Sequence, residues 1–220
     1  MALLAVPSIL VFGWLMTLVT EDITVGSVAE TASRIAVFVV LVIANRALLA
    51  RHWRAFRAAL WRSLGVVVGM VVVQIAIAVS GDALRSFVGG GPGGDDQQPV
   101  QSLAFGVLLF VSLNSVVTAL IEDFTFRHTL LLTFPVWNRF VLGSALIIVN
   151  AVVFGAIHIN NFDGHWLLTL SYAAAGLVMN LVYLWTRNIW HVLLMHGLNN
   201  FIVAGPVGVL LVHVMSRLVI

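Results

Sequence analysis

The chain of 220 residues contains no cysteine and no lysine; all eleven of its basic residues are arginine. Without cysteine there is no disulfide, thiol nucleophile, thiolate metal site or palmitoyl or prenyl acceptor. Without lysine there is neither a Walker-type phosphate lysine nor a Schiff-base lysine. Charge of either sign is scarce. Only 9% of residues are charged and 61% are hydrophobic, with a mean hydropathy of +1.07. A soluble domain would be close to half apolar and about a quarter charged. The pI near 9.9 is not a nucleic-acid signal, because the formal net charge is only +2 and the arginines sit between apolar segments. The all-arginine complement points to a GC-rich bacterial genome.

What remains is a series of apolar runs approaching the ~20 residues that cross a bilayer core as a helix. The first, residues 3–19, lacks a basic leader, is long for a signal peptide and reads as a membrane helix. Further spans are expected at 34–50 and 65–80. A long helix follows at about 102–133, with a turn at Pro135–Asn138. Spans at about 139–159, 165–186 and 189–215 complete the set, the last breaking near Gly205–Pro206. The expected fold is an all-α polytopic membrane protein of about seven or eight transmembrane helices. No internal repeat is visible, which weighs against a transporter built from inverted halves.

The connectors carry most of the polarity. Residues 20–33 hold Glu21, Asp22 and Glu30 and read as an acidic loop. In 51–64, Arg51, Arg54 and Arg57 recur every three residues, and Trp53, Phe56, Leu60 and Trp61 form the apolar stripe of the same helix. That pattern suits an interfacial helix that anchors the topology on the cytoplasmic side; lipid-specific binding is the alternative. Residues 81–101, GDALRSFVGGGPGGDDQQPVQ, read as a flexible solvent-exposed loop. They lack the Gly-Lys-Ser/Thr ending of a phosphate loop and the alternating acids of a calcium loop. The chain is thus divided at 1–101 and 102–220 within one structural domain.

Ionisable side chains in membrane spans cost a few kcal/mol each and usually face the bundle interior. Three groups stand out in the second half. In TALIEDFTFRHTL, Asp123 and Arg127 are four apart in the favourable order for a helical ion pair, leaving Glu122 to point elsewhere. In VNAVVFGAIHINNFDGHW, Phe154 lies one turn before His158; Asp163 and His165 follow in the connector. In NIWHVLLMHGLNNF, His196 and Asn200 share one helix face, with His191 near the start of the span. Each group has a structural reading: a charge cluster at a helix end, a histidine bonded to a carbonyl, and polar glue between helices. Taken together, a carboxylate that accepts a proton from water, a histidine that holds the water and His/Asn donors for an oxyanion form a hydrolytic constellation.

At these residues the sequence resembles the CPBP family of CAAX prenyl endopeptidases and bacterial bacteriocin-processing or Abi-type intramembrane proteases. The family motifs EExxxR, FxxxH and HxxxN/D read here as Glu122-Asp123…Arg127, Phe154…His158 and His196…Asn200, over about residues 105–203. The resemblance implies a catalytic core of about four helices. In it Glu122 activates water, assisted by His158, and His196 and Asn200 stabilise the oxyanion. Asp123, Arg127 and Phe154 support the site. No metal is favoured, although Glu122, His158 and His196 form a nitrogen/oxygen set that would accept zinc. Two departures stand out: Asp123 replaces the second Glu, and His128 replaces the usual glycine after Phe-Arg. The expected substrate is a membrane-embedded or lipid-associated protein or peptide, the setting a bacterial cytoplasmic membrane, and nucleic acid is not a partner. A catalytically silent scaffold or immunity protein is the alternative, with a proton-coupled transporter behind it.

Overall fold

The computed structural model describes residues 2–87, 103–162 and 164–218. Most of the expected 81–101 loop, with Gly94 and Asp95, lies outside the described residues, as does Asp163. Every described element is helical, and no strand occurs among them. In chain order these are α1 (Ala2–Val19), α2 (Ile23–Ala44), α3 (Arg46–Ala58) and α4 (Leu60–Phe87). Next comes α5 (Phe105–Asp123), which runs on through a π-helical segment, Phe124–Leu130, and a last turn, Leu131–Thr133. They are followed by α6 (Phe140–Ala156), α7 (Thr169–Thr186), α8 (Ile189–Val203) and α9 (Pro206–Leu218). Five stretches among the described residues are long and apolar enough to cross a membrane: Ala2–Val19, Ile23–Ala44, Leu60–Ser86, Phe105–Thr133 and Ile189–Leu218. Phe140–Ala156 is a shorter apolar helix. The chain is an integral membrane protein.

Three expected boundaries move. The acidic connector 20–33 is mostly helix, because Asp22 caps α2 by accepting from the Thr24 and Val25 N–H groups. Within α2, Glu30 pairs with Arg34 at 3.3 Å, four residues on, so both charges are tolerated inside a span. The helix expected across 51–64 breaks at Ala59, and its stripe divides: Phe56 is buried, Trp53 stacks on it while remaining exposed, and Trp61 is exposed. Residues 81–87 continue α4, since helix-compatible DALRSF precedes the first glycine cluster. The break expected near Gly205–Pro206 is present between α8 and α9.

The chain forms two compact units. One comprises Met1–Ala50, Asp96–Thr125 and His196–Ile220; the other comprises Arg51–Asp95 and Phe126–Met195. In the first unit, α2 and α1 pack on α5, and α9 packs on α5 as well. Its core is Val6, Ile9, Leu41, Val117, Ala119 and Ile121. Arg34 links α2 to α5 by donating to Thr118 Oγ1 at 2.8 Å. Thr125 Oγ1 donates to the Ala2 carbonyl at 2.8 Å, which seats the start of α1.

In the second unit, α7 packs on α6 and on α4. The α6–α7 approach depends on Gly155, where a Cβ would stand 2.6 Å from the Thr169 carbonyl oxygen and 2.8 Å from the Ala173 nitrogen. Close backbone approach at small residues is how membrane helices gain packing energy when lipid is as apolar as their side chains. The α3 segment ties to the start of α8 twice. His52 Nδ1 accepts from the Ile189 N–H at 3.1 Å, and the His52 carbonyl accepts from Asn188 Nδ2 at 2.9 Å.

Gly155→Val is expected to lower stability in detergent by about 1–3 kcal/mol, the usual cost of overpacking. Gly69→Ala, with nothing within 4 Å of its added Cβ, should leave the thermal midpoint unchanged or slightly raised. A pH dependence follows from His52, which lies outside the spans. Burial first, then repulsion from Arg51 and His128, pushes its imidazole below the ordinary histidine value. A lowered folded-state pKa means that the unfolded chain binds more protons. Its contribution is therefore complete above about pH 6.5 and declines as pH falls below that value. The thermal midpoint of wild type should drop from pH 7 to pH 5 more than that of His52→Gln.

Candidate active site

In the first unit the site residues come from the end of α5 and from α8. Glu122 and Asp123 are the last two residues of α5 before the π-helical segment, and they are 4% and 0% exposed. His196, 6% exposed on α8, brings Nδ1 to 3.5 Å from Asp123 Oδ1. Gly197 permits the approach of the two helices there: a Cβ at this position would meet Leu120 Cδ2 at 3.2 Å. One turn along α8, Asn200 Nδ2 donates to the Ser115 carbonyl at 3.0 Å, and its Oδ1 accepts from Asn199 Nδ2 at 3.2 Å. Asn200 thus joins α8 to α5. One of its two amide hydrogens is engaged in that link.

In the second unit the site residues gather around Phe154. The Arg127 guanidinium, with no exposed surface, lies 4.1 Å above the Phe154 ring and 5.8 Å from that of Phe126. Its Nη2 is 3.5 Å from Met179 Sδ on α7. Phe126 meets Phe154 edge-on at 5.4 Å. Gly176 leaves room for this ring, since a Cβ there would stand 2.8 Å from Phe154 Cδ1. The arginine of the first motif and the phenylalanine of the second therefore interlock.

His158 lies just beyond the end of α6. Its Nδ1 is 2.8 Å from the Phe154 carbonyl, which can only accept, so Nδ1 carries the hydrogen. In the neutral ring this leaves the lone pair on Nε2, the nitrogen that can accept from water. The ring is held between Phe154 at 5.0 Å and Tyr172 at 4.5 Å. Tyr172 drew no attention in the sequence, because nothing local distinguishes a tyrosine on an apolar helix until its ring neighbours are known.

Two other contributors become visible only in three dimensions. Asn150, buried on α6, donates to the Phe126 carbonyl at 3.0 Å and so serves the π-helical segment. Its polarity in an apolar run, one turn before Phe154, was the available signal. His128 Nδ1 lies 3.0 Å from the Tyr183 hydroxyl, which gives this departure from the family pattern a partner on α7. Among the described residues no group of three His, Asp or Glu side chains could hold a metal ion, so no ready-made metal triad is present among them.

Buried carboxylates and an imidazole thus sit together on apolar, membrane-length helices. Residues 104–202, a little under half of the chain, match the family model for type II CAAX prenyl endopeptidase Rce1-like proteins. Over that stretch the chain is similar to the CPBP family of CAAX-type intramembrane proteases. Neither the curated proteins nor the solved structures contain a match to the chain.

Phe154→Leu removes the ring beneath Arg127 while keeping an apolar side chain. A desolvated cation–π contact is worth about 2 kcal/mol or more, and chemical unfolding in detergent should show a loss of at least that size. Met179→Leu, which removes only the thioether contact, should cost less than half as much.

Proposed function

We propose that the chain is an endopeptidase that hydrolyses a peptide bond of a membrane-embedded or lipid-associated protein or peptide, with Glu122 activating the attacking water. One observation carries the reading. Within residues 104–202, Glu122 and Asp123 are buried in the last turn of α5 with His196 beside Asp123. A carboxylate next to a buried acid–imidazole contact is a donor and acceptor set suited to hydrolysis.

The steps balance as follows. Glu122 takes a proton from water, and the resulting hydroxide attacks the scissile carbonyl carbon. His158, whose Nδ1–H is occupied by the Phe154 carbonyl, keeps Nε2 as the nitrogen able to accept a hydrogen bond from water. In its doubly protonated form His196 turns Nδ1–H toward Asp123 and offers Nε2–H to the developing oxyanion. The second amide hydrogen of Asn200 is the other donor. When the C–N bond breaks, the proton held by Glu122 passes to the leaving amine. Asp123 is a positioning residue in this scheme, and Arg127 with Phe154 forms the support beneath His158. No step passes through a metal.

Asn200 also supports a second reading for itself. Its bond to the Ser115 carbonyl is the helix–helix link expected of polar glue. If that is its whole role, Asn200→Ala lowers stability without lowering kcat in proportion.

Comparative membrane proteomics of wild type against Glu122→Gln is the test. General-base catalysis contributes about 10²- to 10⁴-fold, so cleavage products should fall by at least that lower factor in the variant while folding is retained. Undiminished cleavage would leave a scaffold as the better reading. With a substrate so identified, Asp123→Asn should lower kcat about 10²-fold, as when one oxyanion donor is lost, with little change in KM.

A further inference from the structure

Arginines are unevenly matched by acids along the chain. Residues 31–81 contain no Asp or Glu, and neither do residues 164–220. Both acid-free stretches contribute to a pocket of about 280 Å³ in the second unit, lined by Arg62, Ser63, Trp185, Thr186, Asn188 and His191. Arg62 is exposed. His191 is only 7% exposed, and beyond the Asn188 backbone beside it its Nδ1 makes no well-formed hydrogen bond. A buried imidazole nitrogen without a well-formed hydrogen bond is costly unless something outside the chain supplies one.

The remaining polar groups form a fixed frame. Asn188 is used at both ends, donating to the His52 carbonyl at 2.9 Å and accepting from the Trp190 N–H at 3.0 Å. Ser63 Oγ donates to the Phe56 carbonyl at 3.1 Å, so its oxygen can only accept from within the pocket. The His191 ring rests against Phe56 at 5.1 Å.

The depth of the pocket follows from its position on the helices. Arg62 and Ser63 lie in the first turn of α4, and His191 in the first turn of α8. Both helices belong to stretches long enough to cross the membrane. The pocket is therefore at the headgroup level, where the exposed Trp61 and Trp185 are also at home. The run Arg46, Arg51, Arg54, Arg57 and Arg62 puts this end of the helices on the cytoplasmic side, where anionic lipids concentrate.

We propose that this pocket binds the phosphate group of an anionic phospholipid. Arg62 pairs with the phosphate oxygens at the mouth, and His191 donates to them from Nδ1–H inside. The aromatic and apolar wall formed by Trp185, Ala59 and Val66 receives the start of the lipid chains. The same phosphate chemistry could be met by free phosphate, and the test separates the two.

The full-length chain is reconstituted in nanodiscs of equal phosphatidylglycerol and phosphatidylcholine, and retained lipid is counted by native mass spectrometry. Wild type should keep one phosphatidylglycerol. Arg62→Gln should weaken its retention about tenfold, the effect of one charge-assisted hydrogen bond, and His191→Gln should weaken it as well. Arg54→Gln, outside the pocket, should retain the lipid like wild type. Equal loss in Arg54→Gln and Arg62→Gln would mean general attraction to a basic surface and would overturn the proposal. Undiminished retention in Arg62→Gln would overturn it too. Inorganic phosphate that binds wild type where phosphatidylglycerol does not would overturn the lipid assignment.

Discussion

Asp123 and Arg127 have no exposed surface, and both belong to a stretch that crosses the membrane. Neither water nor lipid can solvate them, so protein groups must do so, and this requirement acts within each unit. In the first unit the group beside Asp123 is the imidazole of His196. In the second, the guanidinium of Arg127 lies on the face of Phe154 and against the sulfur of Met179. Each contact fixes a residue of one motif by means of another segment. Residues far apart in the chain thus acquire defined positions without any soluble scaffold.

The passage from Asp123 to Arg127 runs into the π-helical segment Phe124–Leu130. Such segments change the register of the backbone ladder by one residue and recur at functional sites. Here the altered ladder coincides with a side-chain bond to its backbone, from Asn150 to the Phe126 carbonyl. The local cost of the irregular turn is offset by a hydrogen bond that an apolar residue at position 150 would not supply. The motif's carboxylates and its arginine stand on either side of the change in ladder, Glu122 and Asp123 on the α-helical side and Arg127 on the other.

Much of the architecture was legible because apolar runs of membrane length have few alternatives, and because Pro206 marks the break between α8 and α9. The start of α2 was not legible. The polar run GSVAETAS reads as a loop until the cap at Asp22 and the Glu30–Arg34 pair are seen. The motif residues could be found from polarity in an apolar context, but their partners could not. Spacing alone raised the expectation of an Asp123–Arg127 pair, since i,i+4 charges of opposite sign attract on a helix. That His196 stands beside Asp123, and Phe154 beneath Arg127, depends on helix packing that no local pattern encodes. His128 is the clearest case: it was unexplained in the sequence, and its partner Tyr183 is 55 residues away.

The central claim is that Asp123 orients His196 so that the imidazole can serve an oxyanion. Nitrogen-15 NMR of the His196 imidazole, in the full-length chain in nanodiscs, tests it most directly. In wild type Nδ1 should carry a hydrogen bonded to a carboxylate, and its resonance should move when Asp123 is replaced by Asn. A His196 spectrum that is identical in the two proteins would contradict the account.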